Sequence, residues 1–120
     1  MADRVLFVGW GMPVRGREER AIEVFNESVG LYGRMQQDGR IESFDLVLLG
    51  ANTALGGCAL LNGTAAQVAA LQEDEEFRRT IIDASMIVEG LNVIAGYANE
   101  GVGAEMALYA EAAAKVPQHA

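Results

Sequence analysis

Few residues of this 120-residue chain carry the chemistry from which active sites are built. The one histidine, His119, is the penultimate residue, in a tail (Pro117–Ala120) expected to fray. Haem ligation, Ser-His-Asp catalysis and multi-histidine metal sites all need an imidazole held in a framework, and none is provided for here. The single cysteine, Cys58, begins the apolar run Cys58–Leu61, with no His or Lys nearby in sequence to lower its pKa. It reads as a buried structural thiol rather than a nucleophile. Gly9-Trp10-Gly11 lacks the G-x-G-x-x-G spacing of a dinucleotide-binding turn and lies within a strand, so it is not a phosphate loop.

The side chains left for ligand contact are Trp10, Arg15, Arg17, Asn52 and Tyr97. Arg15 and Arg17, with Arg20, hold a third of the nine basic residues, at a helix N-terminus where free backbone N–H groups already favour anions. The competing reading is a solvated turn in which these arginines pair with Glu18 or Glu19. Trp10 and Tyr97 combine large apolar area with a polar tip that needs a partner. The run Glu73-Asp74-Glu75-Glu76 reads as a renewed helix N-terminus rather than a cation site, because adjacent residues point in different directions around a helix.

The elements that position these residues follow from periodicity. Val5–Met12 is rich in β-formers and ends at Pro13, which predicts a strand. From Gly16 and Arg17 to Gln36, Ile22, Phe25, Val29 and Tyr32 recur at spacings of three, four and three, one face of a helix. Gly30 and Gly33 in that helix predict close packing against another backbone, or a loosened last turn. Phe44–Leu49 and Cys58–Leu61 read as strands joined in a hairpin by the Gly50–Gly57 loop. Thr64 and Gln67 form a capping-box pattern, opening a second helix whose Phe77, Ile81, Ala84 and Val88 recur at four, three and four. Leu91–Ala98 is a fourth strand. A last helix over about 102–116 carries a narrow apolar stripe of Val102, Met106, Tyr109, Ala113 and Val116. Glycines 9, 11 and 96 inside strands leave room for helix packing, a close backbone or a ligand.

Half of the residues are hydrophobic (51%) and only 22% are charged, the balance of a single ordered domain. The net charge of −8 opposes binding to nucleic acid or to an anionic membrane. No apolar run nears the ~20 residues needed to cross a bilayer. Met1–Met12 is too short for a secretory signal, and a lone cysteine suits a reducing compartment, so a cytoplasmic location is expected.

Strand–helix–strand units demand right-handed crossovers, and a hairpin between the halves interleaves them. The expected architecture is α+β: a ferredoxin-like βαββαβ sandwich with antiparallel sheet order 4-1-3-2, plus the C-terminal helix. Such a sheet on its own alternates apolar and polar residues. Here the strands look apolar at both parities, and a bare apolar sheet face is rare on a monomer. A sheet-to-sheet homodimer is therefore expected.

Over residues 4–98 the chain resembles the dimeric α/β-barrel superfamily. The resemblance rests on element order, on the two-sided strands, and on the Phe77-Arg78-Arg79, Gly90 and Gly96-Tyr97 run, similar to the second half of many bacterial members without assigned activity. It implies ferredoxin-like subunits paired sheet to sheet. The superfamily spans cofactor-independent monooxygenases, haem-degrading enzymes, haem peroxidases and isomerases, so membership selects no reaction. Its histidine-dependent branches are not matched. Trp10, Asn52, Asn62, Asn92 and Tyr97 do not align with the Asn and Trp positions of its monooxygenases, and no catalytic residue carries over. The reading is a small dimeric protein that needs no cofactor or metal and holds a small, partly apolar molecule between sheet and helices. The alternatives are a cofactor-independent monooxygenase-like or isomerase enzyme, and a non-catalytic structural or interaction protein.

Overall fold

The computed structural model describes residues 2–118; the expectation for His119 lies outside them. Four strands, β1 (Arg4–Trp10), β2 (Ser43–Leu48), β3 (Gly57–Gly63) and β4 (Asn92–Tyr97), form one open antiparallel sheet in the order β2-β3-β1-β4. Counted from the other edge, that order runs 4-1-3-2, and all three neighbouring pairs are antiparallel. Four helices complete the α+β chain: α1 (Glu18–Gln37), α2 (Ala65–Glu73), α3 (Glu75–Ser85) and α4 (Glu100–Ala114). No helix among the described residues is long and apolar enough to cross a membrane.

The register sorts the strand residues by face. Leu6, Val8 and Trp10 of β1 share the helix-facing side with Ala59 and Leu61 of β3 and Val93 of β4. On that side Leu6, Val8, Ala59 and Leu61 are buried against Leu31, Met35, Val68, Leu71 and Phe77. The other face presents Val5, Phe7, Leu60, Val47, Cys58 and Ile94, with Ile94 55% exposed. It is not apolar throughout. At one corner the Asn62 amide donates to Ser43 Oγ (3.2 Å) and Asp45 Oδ2 (3.0 Å), and β4 puts Asn92 on this face, so the expectation of four strands apolar on both faces fails for β2, β3 and β4.

The second helical segment is two helices rather than one. Thr64 caps α2 in a reciprocal capping box with Gln67. Asp74 then leaves helical geometry (φ −67°, ψ 123°), and its carboxylate accepts from the Phe77 N–H at 2.9 Å to start α3. The acidic run is thus a helix start, as its spacing implied. Val88 is not helical: α3 ends at Ser85, and Val88 bridges to Pro13 instead.

Arg40, just past α1, knots this junction, bonding Asp38 Oδ2 (2.9 Å), Asp74 Oδ2 (3.1 Å) and Glu76 Oε1 (3.1 Å). The Arg40 guanidinium holds Asp38 below its ordinary pKa. Glu76 is lowered by Arg40 and then Arg34. Burial works against the charge of Asp74, but the Phe77 N–H and Arg40 outweigh it and leave that carboxylate lowered too. A carboxylate with a lowered folded-state pKa adds stability that is present above its unfolded pKa and is lost as pH falls through the folded value. Thermal stability should therefore drop as pH falls below about 4. In Arg40→Ala that acid-dependent step should be smaller, as melting curves between neutral pH and pH 3 would show. An equal slope in both proteins would mean the cluster contributes nothing.

The glycines meet expectation in part: Gly11 has the close backbone expected of a strand glycine, whereas helix packing is absent. Nothing lies within 4 Å of a Cβ built at Gly33, and only the Arg34 side chain (3.6 Å) approaches one at Gly30, so neither permits close helix packing. Within and beside β1, the Phe7 ring lies over Gly9, while a Cβ on Gly11 would stand 2.6 Å from the Glu89 carbonyl. These spaces are taken by a ring and a backbone strap, not by a helix.

Candidate functional site

The buried core divides into two clusters. The larger joins sheet and helices through Leu6, Val8, Leu31, Tyr32, Met35, Leu61, Leu71 and Phe77. The smaller, Ala21, Val24 and Ile87, holds the start of α1 against the segment after α3. Between them runs a cleft of about 420 Å3, within the size range of small-molecule sites. Its floor is Val8 and Trp10 of β1, and its walls come from Phe25, Val29 and Tyr32 of α1 and Ile81 and Ala84 of α3.

This placement revises the reading of α1. The stripe Ile22, Phe25, Val29, Tyr32 is not simply the core face. Ala21, Val24, Leu31 and Met35 are buried alongside Tyr32, whereas Ile22 is 63% exposed at the cleft and Phe25 and Val29 are half-buried in it. The apolar surface of α1 is wider than the sheet needs, and the surplus lines the cleft.

Trp10 is positioned from both sides. Its indole lies over the Gly56–Gly57 backbone, where a Cβ on Gly57 would come within 2.8 Å of Trp10 Cζ2. On its other side the Phe25 ring meets it edge-on, with centroids 6.1 Å apart and planes at 68°. The segment after Trp10 is strapped to its neighbours. The Gly11 N–H donates to the Glu89 carbonyl (2.7 Å), the Val14 N–H to Ile87 (2.8 Å), and the Gly56 N–H to the Trp10 carbonyl (2.7 Å). Loop 50–56 and the connection after α3 therefore meet at this end of β1, and the cleft opens there past Met12, which is 61% exposed.

The other candidate contacts lie outside the cleft. Asn52 spends its whole amide on its own loop, donating to the Gly50 (2.8 Å) and Leu55 (2.6 Å) carbonyls and accepting from the Ala54 and Leu55 N–H groups (2.8 Å each). An amide has two donor hydrogens and one carbonyl oxygen, so it is fully committed. Arg17 donates to the Met86 carbonyl (2.6 Å) and ties α1 to the end of α3. Arg15 is exposed, and Arg20 pairs with Glu23, Glu27 and Asp83 rather than with Glu18 or Glu19. Tyr97 stands at the opposite end of β1 from Trp10, with the Arg4 guanidinium 4.5 Å from its ring centroid. Of the five candidates, the cleft gathers only Trp10.

The polar group that sequence reasoning missed is the Tyr32 hydroxyl. Tyr32 is 3% exposed and lines the cleft. Its hydroxyl bonds to no other described residue, and since no buried polar side-chain atom among the described residues lacks a partner, it keeps some accessible surface. Burial pushes its pKa up to about 12, so at neutral pH it is a neutral donor and acceptor. The signal was its phenol, the one polar tip on an otherwise apolar stripe. Ser28 and Thr80, also on the walls, are satisfied by the Val24 and Glu76 carbonyls of their own helices. The carboxylate of Glu18, at the rim, accepts from the Gly16 N–H (2.9 Å). The carboxylates whose pKa values shift gather around Arg40, and no group of three or more metal-ligating side chains occurs among the described residues. Comparison of the chain with protein-family models gave no match, and comparison with curated proteins gave none either.

Proposed function

We propose that this protein binds a neutral, largely apolar small molecule bearing one hydrogen-bonding group, in the cleft between sheet and helices. The observation that carries the reading is a mainly apolar cleft that splits the core and is lined by Trp10 and by Tyr32, whose hydroxyl bonds to no other described residue. Apolar walls reward burial of about 25 cal/mol per Å2, while a single fixed hydroxyl orients the guest. An anionic guest would meet no free cation on those walls, and the −8 charge of the chain repels it. Binding rather than catalysis is favoured because Tyr32 has no acid or base beside it in the cleft to exchange a proton with.

N-phenyl-1-naphthylamine, a neutral dye that brightens in apolar surroundings, should bind saturably at one site per chain. A strictly linear, unsaturable signal would sink the reading. Tyr32 is tested with a matched pair of probes. Tyr32→Phe should weaken 2-acetylnaphthalene about five- to tenfold, the worth of one hydrogen bond of ~1 kcal/mol, and leave naphthalene unchanged. Equal loss for both probes would show a packing effect instead.

The same reading places the chain among dimeric α/β-barrel proteins with ferredoxin-like subunits. In support are the strand order, the helix-facing core, and the apolar Val5, Phe7, Leu60 and Ile94 on the uncovered face of the sheet. Two copies paired through these faces would remove that surface from water. Light scattering at micromolar concentration should give twice the chain mass, and Ile94→Glu should weaken the dimer at least tenfold. A wild-type monomer would overturn the pairing.

A further inference from the structure

The chain exposes 7738 Å2. A folded monomer of 12.8 kDa exposes about 6,300 Å2, so roughly 1,400 Å2 is in excess. Its radius of gyration is 16.9 Å, where about 13.6 Å is usual for this length. Of the described helices and strands, α4 is the most exposed. Gly101 is its one buried residue, and every described residue from Val102 onward is exposed, including Met106, Leu108 and Tyr109. A helix of 15 residues with glycines at 101 and 103 is marginal in water without tertiary packing.

The base of α4 is built, not loose. Asn99 takes a left-handed φ of 50°, uncommon for a residue with a side chain, and its amide donates to the Ala2 carbonyl at 2.6 Å. The Ala98 N–H donates to the Asp3 carbonyl at 3.1 Å, and the Gly101 backbone presses on that same carbonyl so closely that a Cβ would overlap it. This junction aims the helix away from its own sheet. A second uncovered apolar strip lies at the opposite edge, where Leu46 and Leu48 of β2 are on the helix-facing side and Leu48 is 70% exposed. The same chain's α4 packs on β4, at the edge of the sheet opposite that strip.

The geometry points to an exchanged arm: α4 of one copy of this chain packs over the Leu46–Leu48 strip of a second copy, which returns its own α4 in the same way. One chain carries both orphan surfaces, so a two-fold pair covers both at once. The roughly 1,400 Å2 of excess surface per chain exceeds the ~800 Å2 per partner of a standard stable interface. This inference rests on the homodimer proposed above, and its strip shares Leu46 with the cleft lining.

Two measurements on the full chain test it. Hydrogen exchange should show α4 amides protected at 100 µM and exchanging much faster on dilution into the monomer range. Mixing Met106→Cys chains with Leu48→Cys chains, both carrying Cys58→Ala, should give a short-bismaleimide cross-linked dimer at least tenfold faster than either variant alone. If light scattering reports a dimer that Ile94→Glu dissociates, yet α4 exchanges freely at every concentration and the mixture gains no cross-link, the arm inference falls and the sheet pairing stands. A wild-type chain that stays monomeric, with α4 unprotected, overturns both and leaves the helix to a partner of another kind.

Discussion

Val29→Trp should weaken binding of N-phenyl-1-naphthylamine about 100-fold or more while leaving the fold intact. Val29 is half-buried on the cleft wall and belongs to neither core cluster. An indole there grows into empty space rather than into packed side chains, so the overpacking penalty of roughly 1–3 kcal/mol seen in filled cores should not apply. The guest, in contrast, loses the volume between Val29 and Trp10 that it must occupy. A 100-fold loss corresponds to about 2.7 kcal/mol, the scale set by burying one aromatic ring. Fluorescence titration gives the affinity and urea denaturation the stability. If the variant binds the dye as tightly as the wild type, the dye sits elsewhere and the cleft is not the site.

Gly57→Ala should cost about 2–3 kcal/mol of folding stability. The new Cβ would stand 2.5 Å from the Val47 carbonyl oxygen and 2.8 Å from Trp10 Cζ2. The first neighbour is backbone in the adjacent strand and cannot swing aside, because Leu48 and Gly57 face one another in the ladder. The second is the ring that floors the cleft. Either the β2–β3 pairing opens or the indole moves, and both weaken dye binding as well as stability. Trp10 is the sole tryptophan, so its emission reports the movement directly. A wild-type midpoint in urea together with an unshifted emission maximum would show that the site relaxes freely and that the approach of Gly57 to Val47 and Trp10 is not tight.

Much of the fold was legible from local patterning. Each strand and helix arises where the apolar period changes from two to between three and four, and the boundaries differ by a few residues. The division at Asp74 was signalled by the acidic run, since a carboxylate that caps Phe77 leaves a recognisable sequence mark. The cleft was less legible. Ile22, Phe25, Val29 and Tyr32 obey the periodicity of a core face, and periodicity counts apolar residues without asking whether anything fills the space opposite them. Among polar candidates, sequence reasoning favoured residues with rich hydrogen-bonding chemistry, such as Asn52 and Arg17, yet these are the ones the backbone uses to brace loops and helix ends. The unspent group was a phenol on an apolar stripe.

By itself, then, the sequence determined the α+β class, the order of the elements, the acidic character and the scarcity of catalytic groups, because composition, period and turn chemistry act over a few neighbouring residues. Only the tertiary structure decided that the core splits around a cleft, that Tyr32 rather than Tyr97 faces it, and that α4 leaves the domain bare. Those outcomes depend on which surfaces meet across long stretches of chain and on the direction a single turn at Asn99 gives a helix. No local pattern carries that information.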